Sequence, residues 1–141
     1  MKIVYVNPNE KPYELEINKE LEQYQQLVGG YIECVYPYDD NAVMVCNDEG
    51  KLDRLPLNRG IYDGTGRLID VIAGSFFIVG DDGEGDFCSL TDEQIKKYLA
   101  MYDEIEEYAD DEPLSAPTMF FVSFADLGLD DYEERYEDLL D

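Results

Sequence analysis

The chain of 141 residues carries 34 acidic and 10 basic side chains and no histidine, which gives a formal net charge of −24 at neutral pH. A hydrophobic content of 45%, with 12 tyrosines and 6 phenylalanines, is too high for a wholly disordered acidic protein, so we expect a folded domain. The absence of histidine excludes Ser-His, Cys-His and zinc-histidine sites, and the charge argues strongly against direct binding of nucleic acid.

The first half of the sequence has the pattern of a small sheet with one helix. Strand-forming residues at 2–6 and 13–17 flank a turn and predict an opening hairpin. A helix is predicted over residues 20–28, with Asn18 as its N-cap and two glycines after it. Strands are predicted at 31–36, 42–46, 68–72 and 75–79. The segment 52–61 contains Pro56 and two arginines, and we expect it to be irregular.

A second helix is predicted over residues 92–108. Thr91 and Gln94 have the spacing of a capping box, and apolar residues recur at helical intervals up to Ile105. Residues 110–117 indicate a linker, 118–124 a strand and 130–140 an amphipathic helix. The predicted fold class is therefore α+β: a compact domain over residues 1–109, with a mainly antiparallel sheet and two or three helices, and an acidic C-terminal strand-helix extension over 110–141 packed on it.

Cysteine usage and the apolar segments indicate a cytoplasmic protein. The three cysteines are widely spaced in apolar surroundings, which favours small buried side chains over disulfides. The N-terminus lacks the pattern of a signal peptide, and the longest apolar run is interrupted by Gly74 and Ser75. We therefore expect neither export nor a membrane span.

Several sequence blocks occur in the order typical of a known family. They are residues 27–33, 46–51 leading to 55–59, 72–78 and 87–91. Over about residues 1–105 the chain resembles the family called domain of unknown function three-eight-four-six. The resemblance implies a setting among small accessory proteins of bacteriophages and conjugative elements, a class that includes inhibitors of host defence. It implies no activity for any residue, and the acidic extension departs from the family pattern.

Charge is concentrated toward the C-terminus, where residues 81–141 hold 21 acids and 3 bases. Eight acids between 126 and 141 on a helix would give about one charge per 3 Å, close to the ~3.4 Å spacing along one DNA strand. We therefore predict a non-enzymatic inhibitor that mimics DNA or RNA and blocks the basic channel of a host nucleic-acid-binding protein, as anti-CRISPR or anti-restriction proteins do. The predicted partner-binding residues are Asp103, Glu104, Glu107, Asp110, Asp111, Asp130, Asp131, Glu133, Glu134, Glu137 and Asp138.

A nucleotide pocket is the main alternative, formed by Asn58, Arg59 and Arg67 in a protein that sequesters a small nucleotide signal. Arginine suits this role because its guanidinium binds phosphate through two donors. The competing interpretation is a structural arginine paired with nearby acids, for which Asp53, Asp63 and Asp70 are the candidates.

Other functions have weaker sequence support. An enzyme could use carboxylates or Cys88, and the acidic terminus could serve solubility alone. Asp82, Glu84, Asp86 and Glu93 match a calcium loop in spacing, but Phe87 occupies the position that requires glycine. No catalytic residue, cofactor or metal is therefore predicted.

Overall fold

The structure is a computed structural model that describes residues 1–108. Its elements are β1 (Lys2–Val6), β2 (Tyr13–Glu16), α1 (Leu21–Val28), β3 (Ile32–Val35), β4 (Ala42–Asn47), β5 (Leu57–Tyr62), β6 (Leu68–Ala73), β7 (Phe76–Asp81), β8 (Phe87–Cys88) and α2 (Asp92–Met101). Every strand pair among these residues is antiparallel. The predicted α+β class is confirmed. The predictions for 110–117, 118–124 and 130–140 lie outside the described residues.

The larger sheet is organised around β7. Its strand order is β2-β1-β7-β4-β3, and β8 pairs with the C-terminal end of β7. On one side β7 pairs with β1 in the register Val4↔Ile78, and on the other it pairs with β4 in the register Met44↔Ile78. Strands β5 and β6 form a separate two-stranded sheet. Both edges of β7 are paired and apolar clusters cover both of its faces, so its residues from Phe76 to Gly80 are buried.

Each face of the larger sheet carries its own apolar cluster, since successive side chains of a strand point to opposite faces. The helices divide between the two clusters, α2 packing on one and α1 on the other. The first cluster contains Val4, Val6, Met44, Phe76, Ile78, Ile95, Tyr98 and Tyr102, joined by Ile61 and Ile72 from the smaller sheet. The second contains Ile3, Val43, Val45, Phe77 and Val79, with Tyr24 and Val28 from α1. No helix among residues 1–108 is long and apolar enough to cross a bilayer.

The two helices differ in how their N-termini are capped. At α2 the capping box is confirmed: Gln94 N donates to Thr91 Oγ1 at 3.1 Å, and Thr91 N donates to Gln94 Oε1 at 2.9 Å. At α1 the prediction of Asn18 as N-cap was wrong. The cap is Glu20, which makes no side-chain cap hydrogen bond, and Asn18 N donates to Gln23 Oε1 instead.

Two element predictions are corrected by the structure. The segment 52–61 was expected to be irregular, but β5 begins at Leu57, directly after Pro56, whose carbonyl accepts from Gly74 N at 2.7 Å. Helix α2 ends at Met101 rather than at residue 108. The helix stops here because the Tyr102 carbonyl accepts two hydrogen bonds from Arg59, which hold the chain in a non-helical path.

Candidate functional site

Arg59 on β5 is a buried cation held mainly by backbone carbonyls. Its side chain is 1% exposed. Its Nε and Nη2 donate to Tyr102 O at 3.2 and 3.1 Å, Nη2 also donates to Glu10 O at 2.7 Å, and Nη1 donates to Asn58 Oδ1 at 2.9 Å. Burial lowers the pKa of Arg59, and the negative charge of Glu106 opposes that shift. The guanidinium therefore fastens the chain after α2 to β5 and to the β1–β2 turn.

The three residues predicted for a nucleotide pocket do not all come together. Asn58 is buried beside Arg59, and its Nδ2 donates to Val6 O at 3.0 Å and to Gly74 O at 2.9 Å. Arg67 lies exposed in the β5–β6 turn, where its backbone N–H donates to Asp63 Oδ1 at 3.0 Å. Asn58 and Arg59 thus form an interior network, whereas Arg67 belongs to a surface turn.

The expected acidic partners of Arg59 were wrong. None of Asp53, Asp63 and Asp70 forms an ion pair with it; Asp70 pairs with Lys51. Burial is the main cause that raises the pKa of Asp70, and the lysine only partly offsets it. A structural arginine fits the observed geometry, but its acceptors are two backbone carbonyls and an amide oxygen.

Residues 102–108, which we call the post-helix segment, are fastened to β5 through Glu106. Glu106 Oε2 accepts from Gly60 N at 2.7 Å, and its Oε1 accepts from the Tyr62 hydroxyl. The hydrogen bond to Glu106, together with burial, raises the pKa of Tyr62 to about 12. Asp103 forms an ion pair with Lys11 of the β1–β2 turn, whose Nζ lies 3.1 Å from Asp103 Oδ1. No pattern in the sequence distinguishes Glu106 from its acidic neighbours.

A cleft of about 500 Å³ opens between β5 and the post-helix segment. Its aromatic and apolar lining includes Tyr38, Tyr62 and Met101, of which Tyr62 is 51% and Met101 48% exposed. Three carboxylates also line it, those of Asp63, Glu104 and Glu106, together with the buried Arg59. The cleft is therefore negatively charged overall and has half-exposed apolar side chains.

The inner wall of the cleft is supported by a group of tyrosines. The hydroxyls of Tyr38 and Tyr102 share a hydrogen bond of 2.7 Å, and the rings of Tyr38 and Tyr98 have their centroids 4.6 Å apart. Burial raises the pKa of Tyr38 well above its usual value, so its hydroxyl stays protonated at neutral pH. This wall is a packed and neutral surface.

A second concentration of charge lies at one end of the larger sheet, where three segments meet. Asp81 N donates to Asn41 O at 2.9 Å, and Gln94 Nε2 donates to the same oxygen at 3.4 Å, which joins the β7–β8 turn, the β3–β4 turn and the start of α2. We call the carboxylates carried by these three segments the acidic end; they are Asp39, Asp40, Asp81, Asp82, Glu84, Asp86, Asp92 and Glu93.

Two lysines of the described chain pair with the acidic end. Lys97 Nζ lies 3.6 Å from Asp39 Oδ1 and 3.2 Å from Asp40 Oδ2, and Lys19 pairs with Asp86. Pairs this exposed contribute about 0–1 kcal/mol each. Burial would raise the pKa of Asp40, but hydrogen bonds from Tyr98 and Lys97 hold it below its usual value. Eight carboxylates against two lysines leave a strongly negative surface.

The turn that resembled a calcium loop is closed by its own side chain. Asp82 Oδ1 accepts from the backbone N–H groups of Glu84 and Asp86 at 2.7 and 3.1 Å. Within residues 1–108 no group of three or more acidic or cysteine side chains has the arrangement of a metal site. Cys88 is half-buried nearby, and burial and the charge of Asp82 raise its pKa, which disfavours a reactive thiolate.

Three of the eleven predicted partner-binding residues fall in the part of the chain that the structure describes. Asp103, Glu104 and Glu107 are exposed on the post-helix segment. The other eight lie outside the described residues: Asp110, Asp111, Asp130, Asp131, Glu133, Glu134, Glu137 and Asp138. Sequence reasoning missed the acidic end, because its members come from two turns and the start of α2, up to about 50 residues apart, which the β4–β7 pairing and the Gln94 side chain bring together.

Comparison with known proteins gives one relationship. A family model described as Domain of unknown function (DUF3846) matches residues 1–103. No curated protein and no solved structure shows significant similarity to the chain. The match covers every element from β1 to α2 and ends within the post-helix segment. Because it spans well over half of the sequence, the chain belongs to the DUF3846 family.

Proposed function

We propose that the protein is a non-enzymatic inhibitor that occupies the basic nucleic-acid-binding site of another protein by imitating the charge of a polynucleotide. The acidic end is the observation that carries this proposal. Its carboxylates come from three segments that a backbone hydrogen bond and the Gln94 side chain join at Asn41 O. Charges held on a folded surface lose little conformational freedom on binding, which favours a surface of this kind over a flexible acidic tail.

The charge of the described domain supports the same function. Residues 1–108 contain 23 acidic and 9 basic side chains, a net charge of −14. Such a charge repels nucleic acid and attracts proteins that bind it. Opposite charge accelerates association, and salt weakens the attraction, so binding should be fast and salt-sensitive.

The partner class in this proposal is a nucleic-acid-binding defence protein, such as a nuclease, in the cytoplasm of a bacterial host. The resemblance to accessory proteins of mobile elements supports that setting. On the inhibitor, the partner surface includes the acidic end and the exposed Asp103, Glu104 and Glu107 of the post-helix segment. The acids between 110 and 138 belong to the proposal on sequence grounds alone.

Sequestration of a nucleotide has less support from the geometry. All three side-chain nitrogens of Arg59 already donate to protein acceptors, and the guanidinium is 1% exposed. Asp63, Glu104 and Glu106 line the adjacent cleft and would repel a phosphate. A phosphate would therefore have to displace existing hydrogen bonds and approach three carboxylates.

The test combines capture with displacement of nucleic acid. The full chain is immobilised, and host lysate is applied at low and at high salt. The retained protein is then purified and loaded with a labelled oligonucleotide. We expect retention only at low salt and release of the oligonucleotide on adding the inhibitor. A captured protein that keeps its oligonucleotide in excess inhibitor would overturn the proposal.

Matched variants locate the surface. One variant neutralises part of the acidic end by Asp39→Asn, Glu84→Gln and Glu93→Gln, and the control makes the same charge change elsewhere by Glu14→Gln, Glu22→Gln and Glu49→Gln. All six side chains are exposed. We expect the first variant to weaken inhibition by about tenfold and the control to change it by less than about twofold. Equal losses would show that only total charge matters, against a defined mimic surface.

A further inference from the structure

We propose that the cleft between β5 and the post-helix segment is a binding site for a guanidinium group, and that its occupant is an arginine side chain of the partner protein. The identity of the occupant as a partner side chain rests on the proposed function, whereas the preference for a guanidinium rests on the cleft alone. The cleft volume of about 500 Å³ lies in the range of small-ligand sites and exceeds the volume of one side chain. It therefore has room for an arginine and part of its flanking chain.

The charges around the cleft select a cation. Three carboxylates line it, and the one cationic side chain among its lining residues, Arg59, is buried with its donors directed at Tyr102 O, Glu10 O and Asn58 Oδ1. A second cation in the cleft would thus meet acceptors rather than competing donors. An anion would find no free pair of donors on Arg59.

Glu104 supplies an available carboxylate. It is exposed, and it forms no hydrogen bond or ion pair with any other residue in the range 1–108. Both of its oxygens can therefore accept the two parallel N–H bonds that a guanidinium donates. Glu106 is a more rigid acceptor, because Gly60 N and the hydroxyls of Tyr62 and Tyr108 already donate to it; its Oε2, which accepts only from Gly60 N, keeps a second lone pair.

The apolar lining favours guanidinium over a simple ammonium ion. Tyr62 and Met101 are half-exposed in the lining of the cleft, so they offer an aromatic ring and an apolar side chain to an occupant. A guanidinium is flat, weakly hydrated and able to stack on an aromatic ring while its edge binds a carboxylate. An ammonium ion shares the charge but lacks the flat face and the fork of donors. The combination of tyrosine and carboxylate therefore matches arginine best.

The experiment titrates the isotope-labelled full chain and follows its backbone amide resonances. The probes are N-acetyl-arginine amide, its uncharged citrulline counterpart, and spermidine as a small polyamine. We expect the arginine compound to shift the Gly60 and Tyr62 resonances saturably, with a dissociation constant at least about fivefold lower than that of either other probe. Glu104→Gln should weaken arginine binding by about fivefold, and the control Glu49→Gln, which lies outside the cleft, should leave it unchanged.

Three results would overturn the site. They are the absence of saturable shifts at Gly60 and Tyr62, tighter binding of spermidine than of the arginine compound, and equal effects of Glu104→Gln and Glu49→Gln. The titration does not test the proposed function, since it needs no partner protein. If the arginine compound binds and no captured protein releases its nucleic acid, the cleft remains a guanidinium site and the inhibitor function is lost.

Discussion

Replacing Arg59 by methionine should destabilise the domain strongly. The guanidinium makes four hydrogen bonds to three acceptors, Tyr102 O, Glu10 O and Asn58 Oδ1. Methionine fills most of the same space but donates nothing, so these acceptors lose their charged donor in a region where Arg59 is 1% exposed. A buried polar group left without a partner costs about 1–3 kcal/mol.

The net loss should be smaller than the sum over three acceptors. Glu10 O lies where water can partly replace the donor, and methionine avoids the cost of burying a cation. We therefore expect the free energy of unfolding to fall by about 3 kcal/mol, a large part of the roughly 5–15 kcal/mol that stabilises a typical domain. Arg59→Lys keeps the charge without the fork of donors, and it should lose about half as much.

Urea unfolding followed by circular dichroism measures the effect, because the chain has no tryptophan to report by fluorescence. Arg67→Met is the matched control; Arg67 is exposed in the β5–β6 turn, and its replacement should change stability by less than about 0.5 kcal/mol. A loss below about 1 kcal/mol for Arg59→Met, or equal losses for both variants, would refute the structural role of Arg59.

Three further changes test other parts of the fold. Thr91→Ala removes the α2 cap and should cost about 1 kcal/mol in urea unfolding. Gly80→Ala would place a Cβ 2.8 Å from two backbone carbonyl oxygens of the β8 region and should cost about 1–3 kcal/mol, whereas Gly64→Ala meets nothing within 4 Å and should be close to neutral. Burial alone would raise the pKa of Asp40, but hydrogen bonds from Tyr98 and a lysine lower it. Because the folded-state pKa is depressed, the stabilisation is complete above the unfolded-state pKa near 4 and is lost as the pH falls through the lower value. Asp40→Asn should therefore flatten the acid side of the stability profile, and an unchanged slope would contradict this assignment.

The sequence predicted the elements whose signals are local. The opening hairpin, the strands at β3, β4, β6 and β7 and the capped start of α2 follow from alternation, turn residues and the spacing of Thr91 and Gln94. The strand β5 was missed because its buried positions hold Asn58 and Arg59, which interrupt the apolar pattern. Their burial depends on carbonyls of Val6, Glu10, Gly74 and Tyr102, which lie elsewhere in the sequence.

The candidate sites also depend on contacts between distant parts of the sequence, which could not be predicted from local patterns. Acidic residues were visible in the sequence, but which of them share a surface depends on strand pairing, and the register between β4 and β7 could not be deduced from alternation alone. The role of Glu106 was equally hidden, since its partners Gly60 and Tyr62 lie more than 40 residues earlier. For Arg59, the competing interpretation as a structural arginine agrees with its burial, although its acceptors are not Asp53, Asp63 or Asp70.

The central position of β7 also affects how the chain acquires its fold during synthesis. Strand β1 pairs with β7, which follows it by about 70 residues, and β4 needs the same partner. Until β7 leaves the ribosome, the edge of β1 that pairs with β7 in the finished sheet stays unpaired, as does one edge of β4. Folding dominated by such distant pairings is slow compared with that of helical proteins, because long loops must close before any contact forms. Residues 1–75, which precede β7, carry 13 acidic and 7 basic side chains, a net charge of only −6, so most of the charge that keeps chains apart is added after the central strand.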